Sequence, residues 1–501
     1  MDDAAPGPRA RRRLIITMAG AAALGAVAAL GQAPWGLWPA TVIALAGLYG
    51  LWGRAPGWRA AGRIGWAFGT GHFLVALHWI TEPFMVDAAR HGWLAAPALL
   101  ALAAGLALYW GAALALARAA GGGAAGFIAG LGLAEMLRGW LFTGFPWAQP
   151  GHALIDTALL HWAAWLGAPG LMALVLTAAV ALWHLLAGAR AAGALTLAGL
   201  GALWPLGAAL APGSAIPPDA PVVRLVQPNA PQREKWDPAK AQLFFDRQRG
   251  FSSAGDTPPD LVVWPETAIP VLLDRAGPTL DAVAASARGA PVVLGLQRRE
   301  ARRLYNSLVV LAPGGAVRDV YDKHHLVPFG EYMPLGDLMA RFGIHGLAAA
   351  EGQGYSAGPG ARLVDLGPLG RALPLICYEG VFARDLRAAP ARPELLLLIT
   401  NDAWFGTVSG PYQHLAQARL RSAEMGLPMV RVANTGISAM IDAAGRVTAR
   451  IPLGEAGWRD APLPAPAPET LFARVGAAPM AALYAALILL ALVTHRRRPP
   501  R

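Results

Sequence analysis

The sequence predicts a multi-span α-helical membrane domain of about eight transmembrane helices joined to a layered α/β domain. Two observations carry this expectation. Hydrophobic residues make up 55% of the 501-residue chain and charged residues only 15%, and the apolar residues gather into runs long enough to cross a bilayer. The segment 212–471 breaks that pattern, with short β-rich runs alternating with helical stretches.

Seven apolar runs precede residue 212, at roughly 14–31, 34–52, 61–80, 93–117, 124–143, 162–187 and 191–211, and an eighth lies near 472–494. Helices are the expected form, because each backbone polar group in hydrocarbon must be paired within its own segment. The first run, behind Arg11-Arg12-Arg13, also fits a cleaved signal peptide. Arg9, Arg11, Arg12 and Arg13 precede the first span, and Arg54, Arg59 and Arg63 lie between the second and third. Arg118 follows the fourth, Arg190 separates the sixth from the seventh, and Arg496, Arg497 and Arg498 follow the eighth. The alternate loops are poorer in Arg and Lys, Arg90 excepted, so both termini are expected in the cytoplasm and 212–471 outside it. The net charge of +11 is partly this topology signal. No basic patch interleaved with aromatics points to nucleic acid.

Within the spans, Glu135 and Arg138 are three residues apart and able to pair on a helix, either as a functional site or as a structural ion pair. The run Trp140 to Trp147 reads as an aromatic belt at headgroup level, and Gly126 to Gly130 as a site of close helix packing.

Pro212, Pro217, Pro218 and Pro221 mark a linker into the second domain. Strands are predicted at Val222–Val226, Leu261–Trp264, Val292–Leu296, Ser307–Leu311, Leu373–Cys377, Leu395–Thr400, Met429–Val432 and Ile437–Ile441. Helices are predicted at Ala239–Arg249, Leu280–Arg288 and Tyr412–Met425. Asp442 to Arg446 signals a hairpin turn, and Pro462 to Pro468 a stiff return to the last span. The predicted domains are therefore 1–211, 212–471 and 472–501.

Three segments of this domain carry chemistry. Trp264-Pro265-Glu266-Thr267 puts a carboxylate just past a strand. Tyr321-Asp322-Lys323-His324-His325-Leu326-Val327-Pro328-Phe329-Gly330-Glu331 supplies a lysine and a second carboxylate. Leu375-Ile376-Cys377-Tyr378-Glu379 supplies the chain's one cysteine, either a small core residue or a thiol kept for its reactivity. Taken singly, Glu266 and Glu331 read as loop acids and Lys323 as a surface charge. His324 and His325 are adjacent, so in an extended segment they point apart and make a poor metal pair.

In this order the three segments resemble the nitrilase, or carbon–nitrogen hydrolase, superfamily, which uses a Glu–Lys–Cys triad on an αββα sandwich. With spans on both sides, Phe142-Thr143-Gly144-Phe145-Pro146-Trp147 ahead and Asn401-Asp402-Ala403-Trp404-Phe405-Gly406 within, the chain is similar to the membrane branch, the apolipoprotein N-acyltransferase family. The resemblance implies Glu266, Lys323 and Cys377 as the triad, with Glu331, Tyr378, Glu379 and Trp236 supporting it.

It also implies acyl transfer from a membrane glycerophospholipid, typically phosphatidylethanolamine, through a cysteine thioester. The acceptor would be the α-amino group of a diacylated N-terminal cysteine on an apolipoprotein. No cofactor or metal is implied. The setting is the bacterial inner membrane with the catalytic domain on the periplasmic side. In this scheme Glu266 accepts the thiol proton, and Lys323 with the Tyr378 backbone N–H faces the oxyanion. Glu331 holds Lys323 or acts as a second acid. Trp236, Phe329, Phe342, Trp404 and Phe405 are candidates to line the apolar access to the thiol.

Two other readings stand beside this one. A membrane-tethered nitrilase-like amidase would pass the acyl group to water, although a soluble substrate needs only one anchor. A transporter or scaffold with an inactive domain would be expected to cluster intramembrane charges, which these spans lack.

Overall fold

The computed structural model describes residues 8–213, 216–334 and 354–496. Phe342 lies outside the described residues. The chain divides into two compact units, Met1–Ala211 with Arg474–Arg501, and Pro212–Ala473.

The first unit is helical, with principal helices Pro8–Ala29, Trp38–Gly53, Trp58–Ala76, Ala95–Ala119, Gly123–Arg138, Ala163–Ala187, Arg190–Leu210 and Ala478–Arg496. Among the described residues, five helical stretches are long and apolar enough to cross a membrane: Arg12–Ala29, Ala88–Ala119, Ala158–Ala187, Arg190–Leu210 and Ala478–His495. Trp38–Gly53 and Gly123–Arg138 have 16 residues each. At 1.5 Å per residue they reach about 24 Å, short of a hydrocarbon core of about 30 Å. Trp58–Ala76 is interrupted by Arg59, Arg63 and His72.

Helices Pro8–Ala29 and Trp58–Ala76 approach backbone to backbone. A Cβ on Gly25 would fall 1.9 Å from the Phe68 carbonyl oxygen, and one on Gly71 2.0 Å from that of Ala22, so no side chain fits at either contact. Gly126 and Gly130 face Ala117 and Ala113 at wider spacing.

Glu135 and Arg138 do pair, and both are buried. Trp110 Nε1 donates to Glu135 Oε1 at 2.6 Å, and an Arg138 guanidinium N–H donates to the Phe145 carbonyl. The pair therefore staples the loop that follows its helix. That loop is not a uniform aromatic belt. Trp140 and Phe142 are exposed, whereas Trp147 is buried with its ring 4.8 Å from that of Trp79.

Among the described residues, the second unit holds two six-stranded sheets. The first runs β12-β1-β2-β3-β4-β5 and the second β11-β10-β9-β8-β7-β6. The strands are β1 Val222–Gln227, β2 Leu261–Val263, β3 Val292–Glu300, β4 Arg303–Leu311, β5 Val317–Asp322, β6 Val364–Asp365, β7 Arg371–Ile376, β8 Leu395–Thr400, β9 Met429–Ala433, β10 Ser438–Ile441, β11 Val447–Ile451 and β12 Gly457–Pro462. Strands β1, β2 and β3 are parallel, as are β7, β8 and β9, and each trio continues into two antiparallel strands. The halves thus repeat one topology.

Alternation sorts the apolar side chains into layers. Leu395, Leu397 and Ile399 enter the core between the sheets, where Val223, Leu225 and Val263 meet them. Leu396 and Leu398 turn to the outer face, beneath Leu386 and Ala418 of the covering helices Ala383–Arg387 and Gly410–Met425. Val262, Val292 and Leu294 pack outward with Leu280 and Val283 of helix Gly277–Ser286. The result is an αββα sandwich.

One strand boundary needs correction. Strand β7 ends at Ile376, and Cys377 instead opens a 3-10 turn, Cys377–Val381, at φ 53°. Pro462 closes β12, and the stretch after it is tied to the domain: Leu463 N–H donates to Pro221 and Ala467 N–H to Gly426.

Candidate active site

The chemistry-bearing residues sit just past strand ends. Glu266 lies beyond β2, Lys323 directly follows β5, and Cys377 directly follows β7. Beyond the carboxyl end of a parallel strand the backbone must turn, and a side chain there is held by the sheet while reaching out of it. At Cys377 that turn is sharp. A positive φ is unfavourable for a residue bearing a Cβ and persists only where the surroundings impose it.

Glu266, Lys323 and Glu331 are all nearly buried. Glu266 Oε1 accepts from Asn306 Nδ2 at 2.6 Å, and Oε2 from the Asn401 N–H at 2.8 Å. Lys323 Nζ lies 4.0 Å from Glu266 Oε1 and donates to Glu331 Oε1 at 2.8 Å. Glu331 Oε2 accepts from the Val327 N–H at 2.8 Å, which closes the loop carrying it. At the end of β8, the Thr400 hydroxyl donates to Asp402 Oδ1 at 2.9 Å.

These contacts set the charges. Burial pushes the Glu266 carboxyl above its ordinary range, and nearby Glu331 adds to this against the opposing pull of Lys323. Burial would lower Lys323, but the carboxylates of Glu331 and Glu266 and the Cys377 site outweigh it, so the lysine stays an ammonium. Burial raises the Cys377 thiol, and the Glu266 charge raises it further. The Cys377 thiol is thus held neutral, beside a carboxylate with heightened proton affinity and a fixed cation. That arrangement suits proton removal during attack rather than a preformed thiolate.

Tyr378 and Glu379 follow the thiol into the turn, and both are buried. Glu379 takes a separate set of partners from Glu266. Its Oε1 accepts from the Tyr321 hydroxyl at 2.9 Å, the His324 N–H at 2.8 Å and the His325 N–H at 3.2 Å, while Oε2 accepts from the Ile376 N–H at 2.8 Å. One carboxylate therefore ties the segment bearing Lys323 to the segment bearing Cys377. Burial would raise Glu379, but the His324 ring and the Ile376 N–H hold it below its ordinary value. The two histidine rings take separate carboxylates, His324 with Glu379 at 2.7 Å and His325 with Asp385 at 2.6 Å.

Trp236 and Phe329 are exposed, and Trp404 is partly buried. Phe405, partly buried, packs against the inter-sheet cluster that includes Cys377, and its ring lies 5.7 Å from that of His414.

Sequence reasoning missed several members of the site. Asn306 also reaches Glu331 Oε1, at 3.4 Å, from the middle of β4. Tyr355 donates its N–H to the Glu331 carbonyl, and burial raises its phenol to about 12. Lys235, one residue before Trp236, donates to the Glu266 carbonyl. Asp402 is held by Arg431 at 2.7 Å and His414 at 2.9 Å. A strand asparagine or a lysine before a tryptophan carries no local signal of such a role.

The model of the carbon-nitrogen hydrolase family matches residues 223–465, and that of the apolipoprotein N-acyltransferase N-terminal domain matches residues 24–210. The apolipoprotein N-acyltransferase of Rhodopseudomonas palustris is 37% identical, over 95% of this chain and 94% of its own. That of Rhizobium etli is 39% identical over 79% of each chain. That of Bradyrhizobium diazoefficiens is 37% identical over 95% of this chain and 94% of its own.

Proposed function

The chain belongs to the apolipoprotein N-acyltransferase family, and from that membership we infer the reaction it carries out. It is an acyltransferase that N-acylates lipoproteins. We assign the donor as a glycerophospholipid, phosphatidylethanolamine in the first instance, and the acceptor as the α-amino group of a diacylglyceryl-cysteine. The observation that carries the residue assignment is the buried group in which the Glu266 carboxylate lies 4.0 Å from the Lys323 ammonium beside the Cys377 thiol.

In the first half-reaction Glu266 takes the thiol proton as sulfur attacks the ester carbonyl of the donor. The oxyanion that forms faces the Lys323 ammonium and the Tyr378 backbone N–H. Its collapse expels the glycerol oxygen, which recovers the proton from Glu266 and leaves as lysophospholipid. An acyl thioester remains on Cys377. In the second half-reaction the acceptor amine attacks that thioester, Glu266 takes the amine proton, and the sulfur departs to be reprotonated. Glu331 holds Lys323 in place, Glu379 and Tyr378 keep the thiol turn in register, and Trp236 lines the access. Exchange of one product for the second substrate at a single site makes the kinetics ping-pong.

Both substrates carry tails in the bilayer, so the thiol is assigned to the outer headgroup plane. This reading keeps all eight predicted spans, both termini in the cytoplasm and residues 212–471 on the periplasmic side. The arginine asymmetry and the five long apolar helices support it. The test is incubation of purified enzyme with labelled phospholipid and a diacylated lipopeptide. N-acylated peptide is the expected product. Free fatty acid without acylated peptide would replace the transferase with a hydrolase.

A further inference from the structure

Lys235 is an anomaly in this domain. It is only 6% exposed, and among the described residues no carboxylate oxygen lies within ion-pair distance of its Nζ. A buried ammonium without a paired carboxylate is costly, so its retention calls for a use. Its hydrogen bonds identify one. Nζ donates to the carbonyl oxygen of Glu266 at 3.1 Å and to Thr267 Oγ1 at 2.9 Å. Thr267 sits at φ 46°, a conformation unfavourable for a β-branched residue. The same turn lies flat on β3: a Cβ on Gly295 would come within 2.5 Å of the Thr267 nitrogen and 2.6 Å of the Glu266 Cα. The Glu266 turn is thus pressed on one side by the sheet and held on the other by Lys235. Nζ also lies 5.1 Å from the centre of the Trp236 ring.

We propose that Lys235 is a positioning residue for the general base. Its ammonium fixes the strained Glu266–Thr267 turn, supplies positive charge behind the carboxylate, and ties that turn to the loop bearing Trp236. The inference rests on Glu266 acting as base. Burial lowers Lys235 to about 8 against the pull of Glu266, so the charge that remains is under tension between solvation and use. The charged and titratable groups facing Glu266 are Lys323, Glu331, Lys235, the Cys377 thiol and the Tyr355 phenol, and its direct donors Asn306 and Asn401 are neutral.

The test follows thioester formation on Cys377 by mass spectrometry across a pH series, using full-length enzyme and phospholipid vesicles. Lys235→Met is expected to slow acylation by about tenfold or more at neutral pH. It should also move the acid limb of the rate profile to higher pH, because the carboxylate loses a nearby cation. Lys235→Arg keeps the charge and is expected to return the limb towards its wild-type position. Thr267→Val removes one acceptor and no charge, so a loss of about threefold with an unmoved limb is expected. Glu266→Gln is run in parallel. An unmoved limb in Lys235→Met, with Glu266→Gln inactive, would overturn the inference and spare the base. Wild-type rates in Glu266→Gln would overturn the base and the inference together. Wild-type rates in Thr267→Val would overturn the positioning of the turn.

Discussion

The two halves of the sandwich repeat one strand pattern but treat their carboxylates in opposite ways. Just past β2 stands Glu266, and just past the equivalent strand β8 stands Asp402, both buried. Glu266 accepts from two neutral donors, Asn306 and Asn401, and its pKa is raised, above all by burial. Burial alone would raise Asp402 too, but Arg431 and His414 press it far below the ordinary range. One scaffold thus holds a carboxyl of raised proton affinity on one side and a firmly ionised anchor on the other, and the partners decide which. The halves are also complementary. Cys377 follows β7 where Pro228 follows β1, and Lys323 follows β5 where Pro452 follows β11.

Several substitutions would break or sharpen this contrast. Cys377→Ser is expected to abolish stable acyl-enzyme, read as the missing mass increment after exposure to phospholipid. Glu266→Gln should slow acylation by about 10²- to 10⁴-fold while leaving thermal unfolding near wild type. Asp402→Asn should do the reverse in kind. It strands the Arg431 guanidinium, which has no exposure, and should cost about 3–5 kcal/mol of stability, seen as a lower Tm. A strong Glu266→Gln effect on Tm, or a neutral Asp402→Asn, would erase the distinction. Asn306→Ala should come next, losing about 1–3 kcal/mol of carboxylate stabilisation and raising the acid limb of acylation.

The pH dependences should also oppose each other. With Glu266 as the proposed base, the acylation rate is expected to fall as pH drops through a pKa above the ordinary 4.5. For stability, the raised Glu266 makes the folded state gain relative to the unfolded as pH falls through that same value. The depressed Asp402 contributes stability that is full above its ordinary 3.8 and lost as pH falls from there toward its folded value. Denaturation midpoints of wild type, Glu266→Gln and Asp402→Asn over an acid series would separate the two.

The strands that sequence reasoning found are those buried on both faces, such as Leu395 to Thr400, where an unbroken apolar run is its own signal. Those it missed include β5, β11 and β12. Val317 to Asp322 is mostly exposed or half-buried, Val447 to Ile451 alternates, and Gly457 to Pro462 carries Arg459 and Asp460. Such strands need partners more than apolar residues. Buried Arg224 in β1 makes sense only once Asp460 of β12 lies against it. The candidate triad of Glu266, Lys323 and Cys377 stood out because each member sits in a distinctive short segment. Asn306, Asn401 and Lys235 were not, because their roles arise from convergence of segments up to 135 residues apart.

Glu379 has one more consequence. Its carboxylate holds the backbone of His324 and His325 with one oxygen and that of Ile376 with the other. The segments bearing ammonium and sulfur are therefore coupled like two arms on one pivot. A drift of either is shared by the other, so their separation is buffered against common displacement. Under the proposed reaction, a long acyl chain on Cys377 would tug on the sulfur without detuning its distance from the Lys323 charge.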